Sequence, residues 1–296
     1  MHNTQKEVSL KYSIVIPAHN EEKYIADTLN SISEQTVLPL QVIVVDDNST
    51  DRTAEIAEKF AQKHAFIHLI HSGSQSTSHE PGGKIIHAFY KGFEQLVPGW
   101  NIVSKLDADV ILPKNYFEVI LSSFQENSKI GIAGGIINVQ KNGEWTLEFS
   151  YKKHVRGAIK SYSWECFEKI GGLRKSIGWD SVDELLAFYY GFELKVLPEL
   201  HVKLQKPTGK DYKKVHGQRM GQAHYRMRYG LFISFVSAVK ACHINKNFRL
   251  LFSIAKGYCN SVLRRDLRIV TKDEGRFIRK YRRQGFLSAL SLKKHS

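Results

Sequence analysis

Three short apolar runs in this chain each stop abruptly on a cluster of polar residues, and that repeated pattern limits the folds open to it. Tyr12-Ser-Ile-Val-Ile-Pro17 gives way to Ala18-His-Asn-Glu-Glu22, Val42-Ile-Val-Val45 to Asp46-Asp47-Asn48, and Ile102 to Leu106 to Asp107-Ala-Asp109. Short β-branched runs bounded by turn residues read as buried strands. Between them, Ile25, Leu29 and Ile32 recur at helical spacing, Ile56 and Phe60 share a helix face, and a further helix is expected over Ile85 to Leu96. Ser49, Thr50 and Asp51 are N-cap candidates for the second helix. Ile67 to Ile70 and Ile130 to Ala133 read as further strands. Strand–helix alternation implies an α/β fold with a mostly parallel, twisted sheet flanked by helices. Ligands of such sheets bind beyond the carboxyl ends of the strands, which is where all three polar clusters stand.

Asp107 and Asp109 have the sharpest chemistry. On extended backbone, alternate side chains point to one side, so both carboxylates are expected to face one ligand as the strand leaves the sheet. Two hard oxygen ligands suit Mg²⁺ or Mn²⁺, ions that commonly share their shell with substrate phosphates. No GxGxxG follows the first strand and no GxxxxGK[ST] occurs, so dinucleotide and P-loop readings lose their main support. Gly82-Gly83-Lys84 reads either as a phosphate loop or as a plain turn before a helix.

Charge divides the 296 residues unevenly. From His201 onward there are 23 Lys and Arg against four Asp and Glu, a net of +19, whereas residues 1–200 carry −5. A basic block of this kind serves nucleic acid, anionic lipid or phosphorylated substrates. It contains no recognisable nucleic-acid module, and its longest apolar run, Leu231 to Val239, is too short for a bilayer, which needs about 20 residues. Phe232, Phe235, Val236 and Val239 share helical spacing, as do Phe248, Leu251, Phe252 and Ala255. Two uses fit them: helices lying on an anionic membrane, or helices covering the first domain. Three widely spaced cysteines and a polar N-terminus fit a reducing compartment without secretion.

Four ordered segments, Ile14 to Glu22, Val42 to Thr53, Lys105 to Pro113 and Gly171 to Glu184, together resemble a family 2 glycosyltransferase of the GT-A fold. The resemblance implies an inverting enzyme using a nucleotide-diphospho-sugar and a divalent metal. Pro17, Ala18, Asn20 and Glu21 would line the nucleotide site, with Asp47 holding the base and Asp46 beside it. Lys84 would approach the base or diphosphate, Asp107 the ribose and sugar, and Asp109 the metal. Arg156 would lie at the floor of the sugar pocket, and His201 would complete the metal shell or touch the diphosphate. In the family a Glu-Asp pair supplies the general base. Counting back from Gly191 puts Asp180 on its Asp, with Trp179 in place of Glu, and leaves Asp183 as the alternative base and Glu184 as a third candidate. Gln218-Arg219-Met220 lacks the Gln-x-x-Arg-Trp pattern of processive relatives, so polymer synthesis is not expected.

The expectation is therefore a transferase with a catalytic domain over 1–205 and a basic, mainly helical region over 206–296. Its partners are a nucleotide-diphospho-sugar, a lipid-linked or glycan acceptor in surface-polysaccharide or glycolipid assembly, and peripherally an anionic membrane, with no nucleic acid. Its place is the cytoplasm, at the inner face of the cytoplasmic membrane. A nucleotidyltransferase would use the same carboxylates but release pyrophosphate, and a non-catalytic basic adaptor would not turn over at all.

Overall fold

The computed structural model describes residues 10–73, 83–148, 154–206 and 216–292. In chain order the elements are β1 (Tyr12–Ala18), α1 (Ile25–Ser33), β2 (Gln41–Asp46), α2 (Thr53–Lys63), β3 (Ile67–His71), α3 (Gly83–Phe93), β4 (Ile102–Leu106) and β5 (Val110–Ile111). They continue with α4 (Tyr116–Glu126), β6 (Ile130–Lys141), β7 (Glu144–Leu147), β8 (Ile159–Ser163), α5 (Trp164–Lys169), α6 (Trp179–Tyr189) and β9 (Glu193–Leu204). Four helices close the chain: α7 (His216–Arg226), α8 (Gly230–Asn245), α9 (Arg249–Leu263) and α10 (Lys272–Leu292). The described residues form two compact units, one of β1–β9 with α1–α5 (less the first turn of α3), the other of α6–α10. The second unit thus includes α6, which the sequence division at 205 assigns to the first domain.

In the first unit the sheet runs β3-β2-β1-β4-β8-β6-β9-β5, with β7 beside β6. β3, β2, β1 and β4 are mutually parallel, whereas β8 enters antiparallel to both β4 and β6. Every residue of β1, β2 and β4 is buried, as strands covered on both faces should be. On one face, Ile14, Ile16, Val42 and Val44 join Ile25, Leu29 and Ile32 of α1 in the core, and Tyr12 stacks on Phe117 of α4 at 4.1 Å. From β1 the chain winds outward through β2 to β3, then returns to place β4 on the other side of β1. That reversal makes the carboxyl ends of β1 and β4 a topological switch point, where crevices open in α/β sheets. β6 and β9 bulge past each other at Gly135, where a Cβ would lie 2.3 Å from the Leu200 carbonyl oxygen.

The second unit is built on equally close approaches. Where α7 crosses α9, a Cβ on Gly221 would stand 2.0 Å from the Ile254 carbonyl oxygen, and one on Gly257 would stand 2.0 Å from that of Gln218. The two backbones touch because both positions lack a side chain. Phe188 and Tyr189 of α6 meet Tyr281 and Phe277 of α10 with ring centroids 5.2 and 5.4 Å apart. Among the described residues no helix is long and apolar enough to cross a membrane, and none of the three cysteines forms a disulfide.

Candidate functional site

The loops after β1 and β2 are laced together. Asn20 and Asn48 both take left-handed backbone angles, φ 55° and 57°, a region Asn tolerates better than most residues. In that conformation the Asn20 N–H donates to Ser49 Oγ (3.0 Å) while its Oδ1 accepts from the Thr50 N–H (2.8 Å). The Glu21 N–H donates to Thr53 Oγ1 (2.7 Å) and the Glu22 N–H to Asp51 Oδ2 (3.1 Å). None of the three N-cap candidates takes that role, which falls to Arg52 without a side-chain hydrogen bond; Asp51 accepts from the Thr53 N–H at 3.0 Å just before the helix, while Ser49 and Thr50 are turned to the first loop. Asp46 is buried, its Oδ1 accepting from the Ser49 N–H (3.3 Å) and its Oδ2 facing His71 Nδ1 (3.3 Å). Asp47 accepts from the Ser72 hydroxyl at 2.7 Å. Pro17 and Ala18 are the last two residues of β1 itself, opposite Val45 and Asp46.

Asp107 and Asp109 are gathered by a turn and not by the pleat of an extended strand, which corrects the sequence expectation. β4 ends at Leu106, and each residue of the turn is fixed through its backbone. The Asp107 N–H donates to the Ala158 carbonyl (2.9 Å), Thr28 Oγ1 donates to the Ala108 carbonyl (2.8 Å), and the Gln205 N–H donates to the Asp109 carbonyl (2.9 Å). The acidic side chains are thus positioned without spending their own oxygens on the turn. Lys105, fully buried, pairs with Asp107 and donates to the Gly157 carbonyl at 3.1 Å.

Asp109 is 7% exposed, and its pKa is pushed up to about 7 by burial and by the negative charges of Asp107 and Glu21, against the pull of Lys206 and Lys105. Glu21 is raised too, chiefly by burial, although Lys206 at 2.7 Å counters this. The Oε2 atom of Glu21 is buried with no hydrogen-bond partner among the described residues. Crowded, poorly compensated carboxylates of this kind fit a hard divalent cation. Among the described residues no group of three or more His, Cys, Asp or Glu side chains is arranged to hold a metal ion by itself.

Other anticipated residues are not part of this gathering. His201, on β9, bonds Asn138 at 3.0 Å and lies four residues before Gln205, the partner of the Asp109 carbonyl just past the strand's end, roughly 13 Å away along extended chain. Arg156 is committed to Glu148, with Nε 2.9 Å from Oε2. Lys84 stands exposed in the first turn of α3, and Gly82 lies outside the described residues. In the second unit Asp180 is half-buried in the first turn of α6, whereas Asp183 is sealed at 1% exposure and accepts from the Glu184 N–H at 2.7 Å. Sequence reading missed Lys206 and Thr28. Leu204-Gln-Lys206 does show the signal, a strand ending on polar residues as β1, β2 and β4 do.

A model of the Glycosyl transferase family 2 domain matches residues 13–174, more than half of the chain. An uncharacterized glycosyltransferase of Bacillus subtilis strain 168, EpsJ, is 36% identical over 83 residues, covering 27% of this chain and 24% of EpsJ. The poly(ribitol-phosphate) beta-N-acetylglucosaminyltransferase TarS of Staphylococcus aureus is 40% identical over 75 residues, 25% of this chain and 13% of TarS. The matched segments therefore make up no more than a quarter of either relative. Residues 1–349 of TarS, solved with UDP-GlcNAc, superpose with a TM-score of 0.57 at 21% identity, covering 76% of this chain and 66% of that one. The mannosyltransferase PcManGT of Pyrobaculum calidifontis, solved with GDP-Man and Mn²⁺, gives 0.55 at 16% identity, covering 95% and 80%. At these identities the structural likeness is one of fold.

Proposed function

The chain belongs to glycosyl transferase family 2, and from that premise we propose that it is an inverting transferase moving one sugar from a nucleotide-diphospho-sugar to an acceptor hydroxyl. The observation that carries the reading is the backbone-pinned turn at the switch point, with Asp109 buried beside Asp107 and Glu21. Asp109 and Asp107 would hold Mn²⁺ or Mg²⁺, an ion that offsets the negative charge growing on a departing nucleoside diphosphate. TarS solved with UDP-GlcNAc, and PcManGT solved with GDP-Man and Mn²⁺, support such a donor and such an ion here. The laced loops, with Asp46 and Asp47, would receive the nucleoside, since carboxylates accept from base N–H and ribose hydroxyl groups.

Asp180 is the general base of this reading, because the residue is half-buried whereas Asp183 is sealed. It takes the acceptor hydroxyl proton as that oxygen bonds the anomeric carbon. The bond from that carbon to the diphosphate oxygen breaks, and its electron pair leaves with the nucleoside diphosphate. Inversion follows from attack opposite the leaving group. The test is turnover with a panel of nucleotide sugars and free glycosides, followed by proton NMR of the product. Nucleoside diphosphate release with the opposite anomeric configuration is expected; pyrophosphate release would overturn the reading.

The acceptor is proposed to be a lipid-linked or surface glycan, reached from the cytoplasmic face of the membrane. Phe232 and Phe235 on α8, with Phe248 and Phe252 at the start of α9, are all exposed by 60% or more. Exposed Lys240, Lys246, Arg249 and Lys256 stand on the same two helices and their connection. Aromatic side chains interspersed with cations match an anionic bilayer surface, whereas a second copy would bring like charges together. Cosedimentation with phosphatidylglycerol vesicles is expected, and its loss on replacing Phe232, Phe235 and Phe252 by Ser. Equal binding by that variant, or none by the natural chain, would refute the contact.

A further inference from the structure

A second lysine, Lys206, stands at the carboxylates beside the turn. Lys206 leaves β9 one residue after Gln205, whose N–H is bonded to the Asp109 carbonyl, so the β9 exit is registered on the turn itself. Its ammonium lies 2.7 Å from Glu21 Oε1. The two members of this pair differ sharply in accessibility: the lysine side chain is 50% exposed and the glutamate 15%. Burial of Lys206 disfavours its charge, but the hydrogen bond to Glu21 and the charges of Glu21 and Asp109 outweigh this and raise its pKa. The other lysine at the turn, Lys105, is buried between Asp107 and the Gly157 carbonyl and has no comparable reach toward solvent.

We propose that Lys206 binds the diphosphate of the donor, its ammonium passing from Glu21 to the phosphate oxygens while the divalent ion takes over the carboxylates. The proposal rests on the transferase reading above. Charge balance drives the exchange. Glu21, Asp107 and Asp109 together carry up to three negative charges, and Lys105 is already committed to one of them. A divalent ion arriving at these carboxylates removes the reason for Lys206 to stay on Glu21. A diphosphate arriving with that ion offers a stronger acceptor within reach of a flexible, three-donor side chain. Lys206 and the ion thus compete before the donor binds and cooperate after it. A purely structural ion pair between Lys206 and Glu21 has no such change of sign.

The experiment is titration calorimetry on the full chain and its Lys206→Gln and Lys206→Arg variants. The probes are Mn²⁺ alone, then UDP, GDP, CDP, ADP and dTDP with Mn²⁺, then the matching nucleosides. Lys206→Gln is expected to weaken the preferred nucleoside diphosphate by about tenfold or more, a loss that fits one charge-assisted phosphate contact. It should leave the nucleoside unchanged and bind Mn²⁺ alone more tightly than the natural chain. Lys206→Arg should keep most of the diphosphate affinity. Unchanged diphosphate affinity in Lys206→Gln overturns the proposal, and so does equal weakening of nucleoside, diphosphate and Mn²⁺. Failure of the natural chain to bind any diphosphate with Mn²⁺ overturns the transferase reading and Lys206 with it. That failure appears before any variant is made, so the two are told apart.

Discussion

Two sets of carboxylates in this chain are held in opposite ways. In the turn after β4, backbone groups of the turn bond to Ala158, Thr28 and Gln205, so Asp109 is positioned by its own carbonyl and its side chain is left for other work. On α6, Asp183 is buried and its Oδ1 accepts from the neighbouring Glu184 N–H, so one of its side-chain oxygens is tied to the helix backbone. Asp180, three residues earlier, is half-buried. A carboxylate positioned through its backbone keeps its oxygens available to a ligand, whereas one positioned through its oxygens has already used them.

Substitutions can break this comparison. The largest effect is expected at Asp109→Asn, which should lower transfer by about a thousandfold or more while the chain stays folded, as loss of a metal-holding carboxylate implies. A milder loss would move the ion elsewhere. Next, Asp180→Asn should reduce kcat by roughly 10²- to 10⁴-fold with little change in melting temperature, the range of a lost general base. Asp183→Asn should instead act on stability, by about 1–3 kcal/mol, because it disturbs a buried acceptor. If the two results are exchanged, Asp183 is the base.

Gly221→Ala probes the second unit alone. A methyl group there meets the Ile254 carbonyl oxygen at 2.0 Å, so α7 and α9 must separate, at a cost of about 1–3 kcal/mol or more, read by denaturant unfolding. Gly285→Ala on α10 is the small, opposite control. Nothing lies within 4 Å of its Cβ, and helix propensity should make it more stable by roughly 0.5–1 kcal/mol. Equal losses at both glycines would mean that the α7–α9 contact is not what the packing implies.

The parallel half of the sheet was legible because β1, β2 and β4 are continuous apolar runs that stop on acids, and each is buried on both faces. β8 was not. Its sequence Ile-Lys-Ser-Tyr-Ser reads as a polar surface segment, yet Lys160 and Ser161 are fully buried between β4 and β6. Only the tertiary fold could supply that environment. The acids at 107 and 109 were legible as ligands, but their geometry was not, since Thr28, which fixes the turn, lies 80 residues from Ala108. Lys206 escaped notice for the same reason: its neighbours are set by β9 pairing with β5, a ladder of two rungs that no local pattern announces.

The central claim is that the fold holds Asp109 at an electrostatic cost for the sake of a cation. Burial and like charge push its pKa up to about 7, so the folded chain binds a proton there that the unfolded chain releases near pH 4. Between those values stability must fall as pH rises, by on the order of 2–4 kcal/mol once the group is fully ionised. The direct measurement is denaturant unfolding from pH 5 to 8 in EDTA, then with Mn²⁺ and the preferred nucleoside diphosphate, for the natural chain and Asp109→Asn. The account predicts that the natural chain weakens with rising pH in EDTA and recovers with the ligands. Asp109→Asn should be the more stable of the two above pH 7 in EDTA and should gain nothing from the ligands. Matching pH profiles for the two proteins, with the same response to Mn²⁺ and nucleotide, would contradict it.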